Sequence, residues 1–254
     1  MPERQPRPLG QLRARSLGGL PFLIADPRTA SRSVIALSKR QHDGAAVHLL
    51  NAYSIALAQR DERFRTTLSG ASCNFPDGKP LSWVTRLSNR RLHQVRGPQF
   101  FLDVMDQGRA EGVQHFLLGG SDDLLVKLQA NLRELFPGVS IVGVASPPFR
   151  PLSTAEIAEQ DGLIRASGAD IVWVGLGTPK QDYEAERIAR ELQTVACAVG
   201  AAFDFTAGTK REAPRWMTRV GLEWLYRFMS EPRRLWRRYL IGNFAFLGAV
   251  LRDR

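Results

Sequence analysis

From residue 113 onward, apolar positions alternate between two spacings. Short dense runs at 113–118 (VQHFLL), 139–145, 169–176 (ADIVWVGL) and 195–200 (VACAVG) predict strands. The near-unbroken run at 169–176 predicts a central parallel strand, buried on both faces. Between these runs the apolar residues spread to helical spacing, predicting helices over 121–136, 153–166 and 179–192. Ser121 is a predicted N-cap, and Ser153 with Glu156 three residues later predicts a capping box. The first half reads less regularly. Strands are predicted at 21–25, 45–51 and 71–75, with helices over 29–39, 53–68, 79–87 and 98–111. Strand–helix alternation of this kind predicts an α/β fold with a Rossmann-like, doubly wound body. Ligands in such a body bind beyond the carboxyl ends of the strands.

The stretch from 208 to 240 departs from this alternation. Arginines there interleave with Trp216, Trp224, Tyr226, Phe228, Trp236 and Tyr239, and Gly221 and Pro232 divide it into helical pieces. Charge follows the same division. The net charge is +10, residues 210–254 hold 11 Lys and Arg against 4 Asp and Glu, and residues 1–20 hold 4 against 1. Residues 21–209 hold 20 of each sign and sum to zero. The expected organisation is a basic, disordered leader over 1–20, an α/β catalytic domain over 21–208, and a basic-aromatic helical appendage over 209–254. Cationic ends on a neutral body imply a polyanionic partner or a solvated face. No apolar run approaches a membrane span. The leader lacks the apolar core of a signal peptide. Cys73 and Cys197 lack metal-site or disulfide spacing, as expected of a reducing setting.

Several residues carry candidate chemistry, each with a plainer reading beside it. Gly175, Gly177, Thr178, Lys180 and Gln181 follow a strand and open a helix, where backbone N–H groups can cradle a phosphate; a tight turn explains them equally. Gly119 and Gly120 repeat the device in weaker form. Asp77, in a Pro-Asp-Gly turn after a strand, is a general base or a turn residue. Asn51 ends a strand and is a ligand donor or a helix N-cap. Asp204, between two phenylalanines, is a nucleotide ligand or a structural cap. His42, His48, His93 and His115 show no zinc spacing, no Asp-x-Asp pair occurs, and no Gly-x-Ser-x-Gly elbow occurs.

Taken in order, Asn51, Asp77-Gly78, FLLGG at 116–120, GLGTPKQ at 175–181, VGAAFDFTAG at 199–208, APRWM at 213–217 and the run 221–240 resemble the WecG/TagA/CpsF glycosyltransferases. The resemblance implies an inverting enzyme. It would transfer a sugar from a UDP-sugar to a glycan on polyprenyl diphosphate, in cell-surface or exopolysaccharide biosynthesis, without a metal or other cofactor. It implies that Asp77 is the base, that the GLGTPKQ loop and Asp204 lie at the nucleotide, and that Arg227, Arg234 and Arg237 fold over the active site. It further implies a peripheral location on the cytoplasmic face of the membrane, docking on anionic lipid through the appendage, and self-association into a homo-oligomer. Leu49, Gln94 and Gln99 depart from the pattern near the presumed sugar end, leaving N-acetylmannosamine, its uronic acid and glucose open as donors. Two other readings compete. A Rossmann-type oxidoreductase lacks a GxGxxG at its first βα turn. A nucleic-acid-binding protein would rest on the tail alone, and no nucleic-acid partner is expected.

Overall fold

The computed structural model describes residues 12–40, 44–70, 73–232, 242 and 245–252, with backbone only at 215, 219 and 227. A hairpin of β1 (Ala14–Leu17) and β2 (Leu20–Leu23) leads into α1 (Pro27–Ser38). Then follow β3 (Ala45–Leu50), α2 (Ala52–Ala58), α3 (Glu62–Ser69), β4 (Cys73–Pro76), α4 (Lys79–Val84) and α5 (Gly97–Gln107). The regular half comprises β5 (Gln114–Leu118), α6 (Asp122–Leu135), β6 (Ser140–Ala145), α7 (Thr154–Ser167), β7 (Ile171–Val174), α8 (Lys180–Leu192) and β8 (Val195–Ala198). Three short helices, α9 (Ala202–Thr206), α10 (Arg215–Arg219) and α11 (Glu223–Ser230), precede a helical run at 245–252. Among the described residues no helix is long and apolar enough to cross a membrane.

β3 to β8 form one parallel sheet in the order β4-β3-β8-β7-β5-β6. Parallel crossovers are right-handed, so steps in opposite directions along the sheet place their helices on opposite faces. Side-chain parity shows the result. Val47, Leu117, Trp173 and Cys197 share a cluster with Val34 of α1, Phe100 and Phe101 of α5, Leu128 of α6 and Phe203 of α9. Their neighbours Ala46, Phe116, Val172 and Ala196 point the other way, onto Ile164 of α7 and Ala185 and Ile188 of α8. This is the doubly wound architecture that the alternation predicts. The caps agree as well: Ser121 Oγ accepts from Leu124 N–H, and Ser153 and Glu156 form both halves of a capping box.

Two expectations need correction. Composition predicts a disordered leader through residue 20, but residues 14–20 fold into the hairpin. Leu17 and Leu20 are buried there in a third cluster with Ile55, Phe64, Leu68, Leu81, Leu92, Phe246 and Val250. The basic composition of the segment masked its apolar positions. The single helix expected over 53–68 is two. The Asp61 carboxylate accepts from Phe64 N–H at 3.0 Å and starts a new helix, because an Asp competes better as a cap than as an interior residue.

Candidate active site

Four strand ends build the site. β4 ends at Pro76, and Asp77 N–H continues the ladder to Leu50 C=O at 2.7 Å, fixing Asp77 beside the end of β3. Gly78 then turns with φ +101° to open α4. Val95 N–H donates to Pro76 C=O at 2.8 Å, which brings the start of α5 against the same turn. Gly97, the first residue of α5, faces the half-buried Asp77. A Cβ there would stand 4.0 Å from Asp77 Oδ2 and 3.3 Å from Leu49 Cδ1, so the missing side chain leaves the carboxylate room.

A cavity of about 760 Å³ opens at these strand ends, a volume typical of small-molecule sites. Asn51, Asp77, Gly177, Thr178 and Gln181 all line it, as do Val199, Gly200 and Ala201 after β8. Asn51 is an N-cap and also lines the cavity. Its Oδ1 accepts from Tyr53 N–H at 3.0 Å and Ser54 N–H at 3.3 Å, completing a capping box. Two backbone donors on one atom identify that atom as the oxygen, so the Nδ2 donors remain available at the cavity wall. Gln181 is committed locally. Its Oε1 accepts from Gly177 N–H at 3.0 Å and its Nε2 donates to Thr178 Oγ1 at 3.5 Å, so the buried side chain braces the loop at the cavity wall.

Other candidates are not brought to the cavity wall. Gly119 and Gly175 meet between β5 and β7, where the sheet's winding reverses. A Cβ on Gly119 would lie 2.8 Å from the Gly175 carbonyl, and one on Gly175 would lie 2.7 Å from the Phe203 ring. Their smallness serves backbone packing. Gly120 carries φ +83° and its C=O accepts from Ser146 Oγ at 2.8 Å. Lys180 is exposed at the start of α8. Asp204 is held locally: Thr209 Oγ1 donates to its Oδ1 at 3.4 Å, and Lys210 Nζ stands 3.7 Å away. Arg234 and Arg237 lie outside the described residues, as does the side chain of Arg227, whose backbone belongs to α11.

Sequence reasoning missed the cations that the structure does place. Lys79, Lys210 and Arg211 line the cavity. Lys210 is paired with Glu231 at 3.2 Å as well as with Asp204. Lys79 and Arg211 have no carboxylate in ion-pair range among the described residues. Arg96 was also missed. Its guanidinium grips both oxygens of Glu223, with Nε–Oε2 at 2.9 Å and Nη2–Oε1 at 3.2 Å, and reaches Glu212 at 2.8 Å. Burial works against that charge, but Glu223 and then Glu212 outweigh it and hold the Arg96 pKa above its ordinary value. The pair fastens the start of α11 to the start of α5, across 127 positions of sequence, a separation that no local motif reveals. Of the three departures, Leu49 and Gln94 line the cavity. Gln99 does not; it is exposed on α5 and donates to Asp103 at 2.8 Å.

Aromatic side chains also line the cavity: Tyr53, Trp83, Trp224, Tyr226 and Phe246. The lining therefore combines glycine-rich loops, a carboxylate and flat apolar surfaces. That mixture of environments suits a ligand with both a polar, anionic part and a less polar part. The family model described as the glycosyl transferase WecG/TagA/CpsF family matches residues 15–254. The match takes in every element of the sheet and every cavity-lining residue named above, and the chain belongs to this family of glycosyltransferases of cell-surface polysaccharide biosynthesis.

Proposed function

We propose that the protein is an inverting, metal-independent glycosyltransferase that moves a sugar from a UDP-sugar to a polyprenyl-diphosphate-linked glycan, with Asp77 as the general base. The observation that carries the reading is the seat of Asp77. It stands at a strand end on the wall of a ligand-sized cavity that glycine loops and aromatic side chains also line, with the side-chain-free face of Gly97 before it. Membership of a glycosyltransferase family removes the oxidoreductase alternative.

In the proposed reaction an acceptor hydroxyl oxygen attacks the anomeric carbon of the donor while Asp77 takes the hydroxyl proton. The bond from that carbon to the β-phosphate oxygen breaks and UDP leaves with the electron pair. A single displacement of this kind inverts the anomeric centre. In this reading Asn51 Nδ2 holds a sugar or acceptor hydroxyl. Negative charge grows on the leaving diphosphate, and fixed cations stabilise it best because they need no reorganisation during the reaction. We assign that part to Arg211 and Lys79 at the wall, joined by the family-implied Arg227, Arg234 and Arg237. Loss of one such donor typically slows turnover about 10²- to 10³-fold. The appendage would also dock on anionic lipid, since exposed Trp216, Val220 and Met229 alternate with its arginines.

The test follows UDP release from a panel of UDP-sugars with a lipid-linked monosaccharide diphosphate acceptor, in EDTA. The expected result is acceptor-dependent release with one donor, falling about 10²- to 10⁴-fold in Asp77→Asn. Release that Asp77→Asn leaves unchanged would remove Asp77 as base. Release abolished by EDTA and restored by a divalent cation would overturn metal independence.

A further inference from the structure

Resting on that reading, we infer that the connection between α4 and α5 is a second membrane-contact element, built into the catalytic body and separate from the C-terminal appendage. The partner is an anionic phospholipid surface.

The composition of this connection is one-sided. From Gly78 to Leu102 there is no Asp or Glu, while Lys79, Arg86, Arg90, Arg91 and Arg96 fall within it. Arg96 is spent on Glu223 and Glu212. Arg86, Arg90 and Arg91 are exposed and have no carboxylate in ion-pair range among the described residues. Arg15, from the hairpin, donates to Arg90 C=O at 3.0 Å and adds a further cation to the cluster. Three neighbouring like charges repel one another. An arrangement that brings them together without acids calls for an external anion.

Apolar side chains stand among these cations. Leu87 is 92 % exposed and Trp83 49 %. The loop that presents Leu87 is held firmly. Buried Thr85 donates to Leu81 C=O at 3.0 Å and accepts from Leu92 N–H at 3.1 Å, stapling both ends of the loop, and Ser88 Oγ accepts from Arg90 N–H. A leucine carried outward on a stapled loop is a built feature, and water opposes its exposure unless a partner covers it. A nucleic-acid strand would satisfy the arginines and give Leu87 nothing. A bilayer interface satisfies both, taking the leucine and indole at the acyl boundary and the guanidinium groups at the phosphates.

The element is continuous with the site. Trp83 lines the cavity and packs against Gly221, where an added Cβ would fall 2.5 Å from the indole. Trp224 and Leu247, also partly exposed, line the same cavity. Contact through α4 on one side and the appendage on the other would set the cavity mouth flat on the lipid surface, where a polyprenyl-linked acceptor presents its diphosphate.

The test is co-sedimentation with phosphatidylcholine vesicles, with and without phosphatidylglycerol, using the full chain. Two variants are compared: Arg86→Gln/Arg90→Gln/Arg91→Gln, and Leu87→Asp. Each arginine near an anionic surface contributes about fivefold, so the triple variant should partition roughly a hundredfold more weakly to phosphatidylglycerol vesicles. Leu87→Asp should weaken binding to both vesicle types. Both variants should turn over a short-chain, soluble acceptor like the wild type and lose turnover on acceptor embedded in vesicles. All four positions are exposed, and unchanged thermal unfolding confirms the fold. Wild-type partitioning by both variants would overturn the inference, as would loss of oligonucleotide binding with vesicle binding intact. Vesicle binding needs no donor sugar, so a failure of the proposed reaction leaves this result readable.

Discussion

Removing the Arg96 guanidinium is the most informative single perturbation of the fold around the site. Arg96→Ala deletes two bonds to Glu223 between side chains 19 % and 17 % exposed, and one bond to Glu212, which is 41 % exposed. The two arms weigh differently. Bonds to a charged partner in a mostly buried, two-point geometry contribute about 1.5–3 kcal/mol, whereas an exposed arm contributes about 0.2–1 kcal/mol. The expected loss is therefore about 2–4 kcal/mol, dominated by the Glu223 arm. It should appear locally, because the pair ties α11 to α5 and takes no part in the sheet. Hydrogen exchange of the amides at 223–230 is the assay. That loss accelerates local opening roughly 30- to 1,000-fold while amides of β7 and β8 keep their protection. A double-mutant cycle with Glu223→Gln should give a coupling energy of about 1–3 kcal/mol, since neighbouring charges are not additive. Arg96→Lys should restore little, because an ammonium cannot span both Glu223 oxygens. A coupling below about 0.5 kcal/mol, the scatter expected of independent sites, would refute the reasoning.

Two further outcomes follow from packing and titration. His115 is fully buried and accepts from Trp173 Nε1–H at 3.1 Å; burial, only partly opposed by the charge of Asp170, pushes its pKa from 6.5 down to about 4. The unfolded chain takes up that proton below about pH 6.5 and the folded protein does not until about pH 4. Stability is therefore complete at neutral pH and falls with acidification through this window, by on the order of 3 kcal/mol, and the urea midpoint of His115→Gln should depend less on pH there. Gly175→Ala drives a methyl group to 2.7 Å from the Phe203 ring and should cost about 1–3 kcal/mol in thermal unfolding, shifting α9; an unchanged melting temperature would contradict the tight approach of β7 and α9.

The parallel body was legible because its signals are local and agree with one another. Dense apolar strands such as 169–176, serine caps at 121 and 153, and glycines just past strand ends at 78, 119, 175 and 200 all point to one architecture. The hairpin at 14–23 was hidden because its alternation is short and its composition basic. Asp61 was hidden inside an apparently continuous helical run. At the site, Asp77 and Asn51 stood out because strand ends are where an α/β sheet binds ligands. The gripping of Glu223 by Arg96 did not, since long-range ion pairs leave no periodic trace. Gly175 and Gln181 drew notice for a reason that the structure redirects: the glycine admits Phe203, and the glutamine closes a loop upon itself.

The third cluster joins Leu17 and Leu20 of the hairpin to Phe246, Ala249 and Val250. Its two halves lie at opposite extremes of the sequence, which sets a timetable for biosynthesis. The parallel sheet can assemble once β8 has left the ribosome, but the hairpin, Leu81 and Leu92 keep an apolar surface uncovered until residue 250 has been made. During that interval the nascent chain is exposed to chaperones and to aggregation. A shortened chain that ends before residue 246 would carry that surface permanently, so its failure to act could reflect aggregation as much as a missing catalytic group.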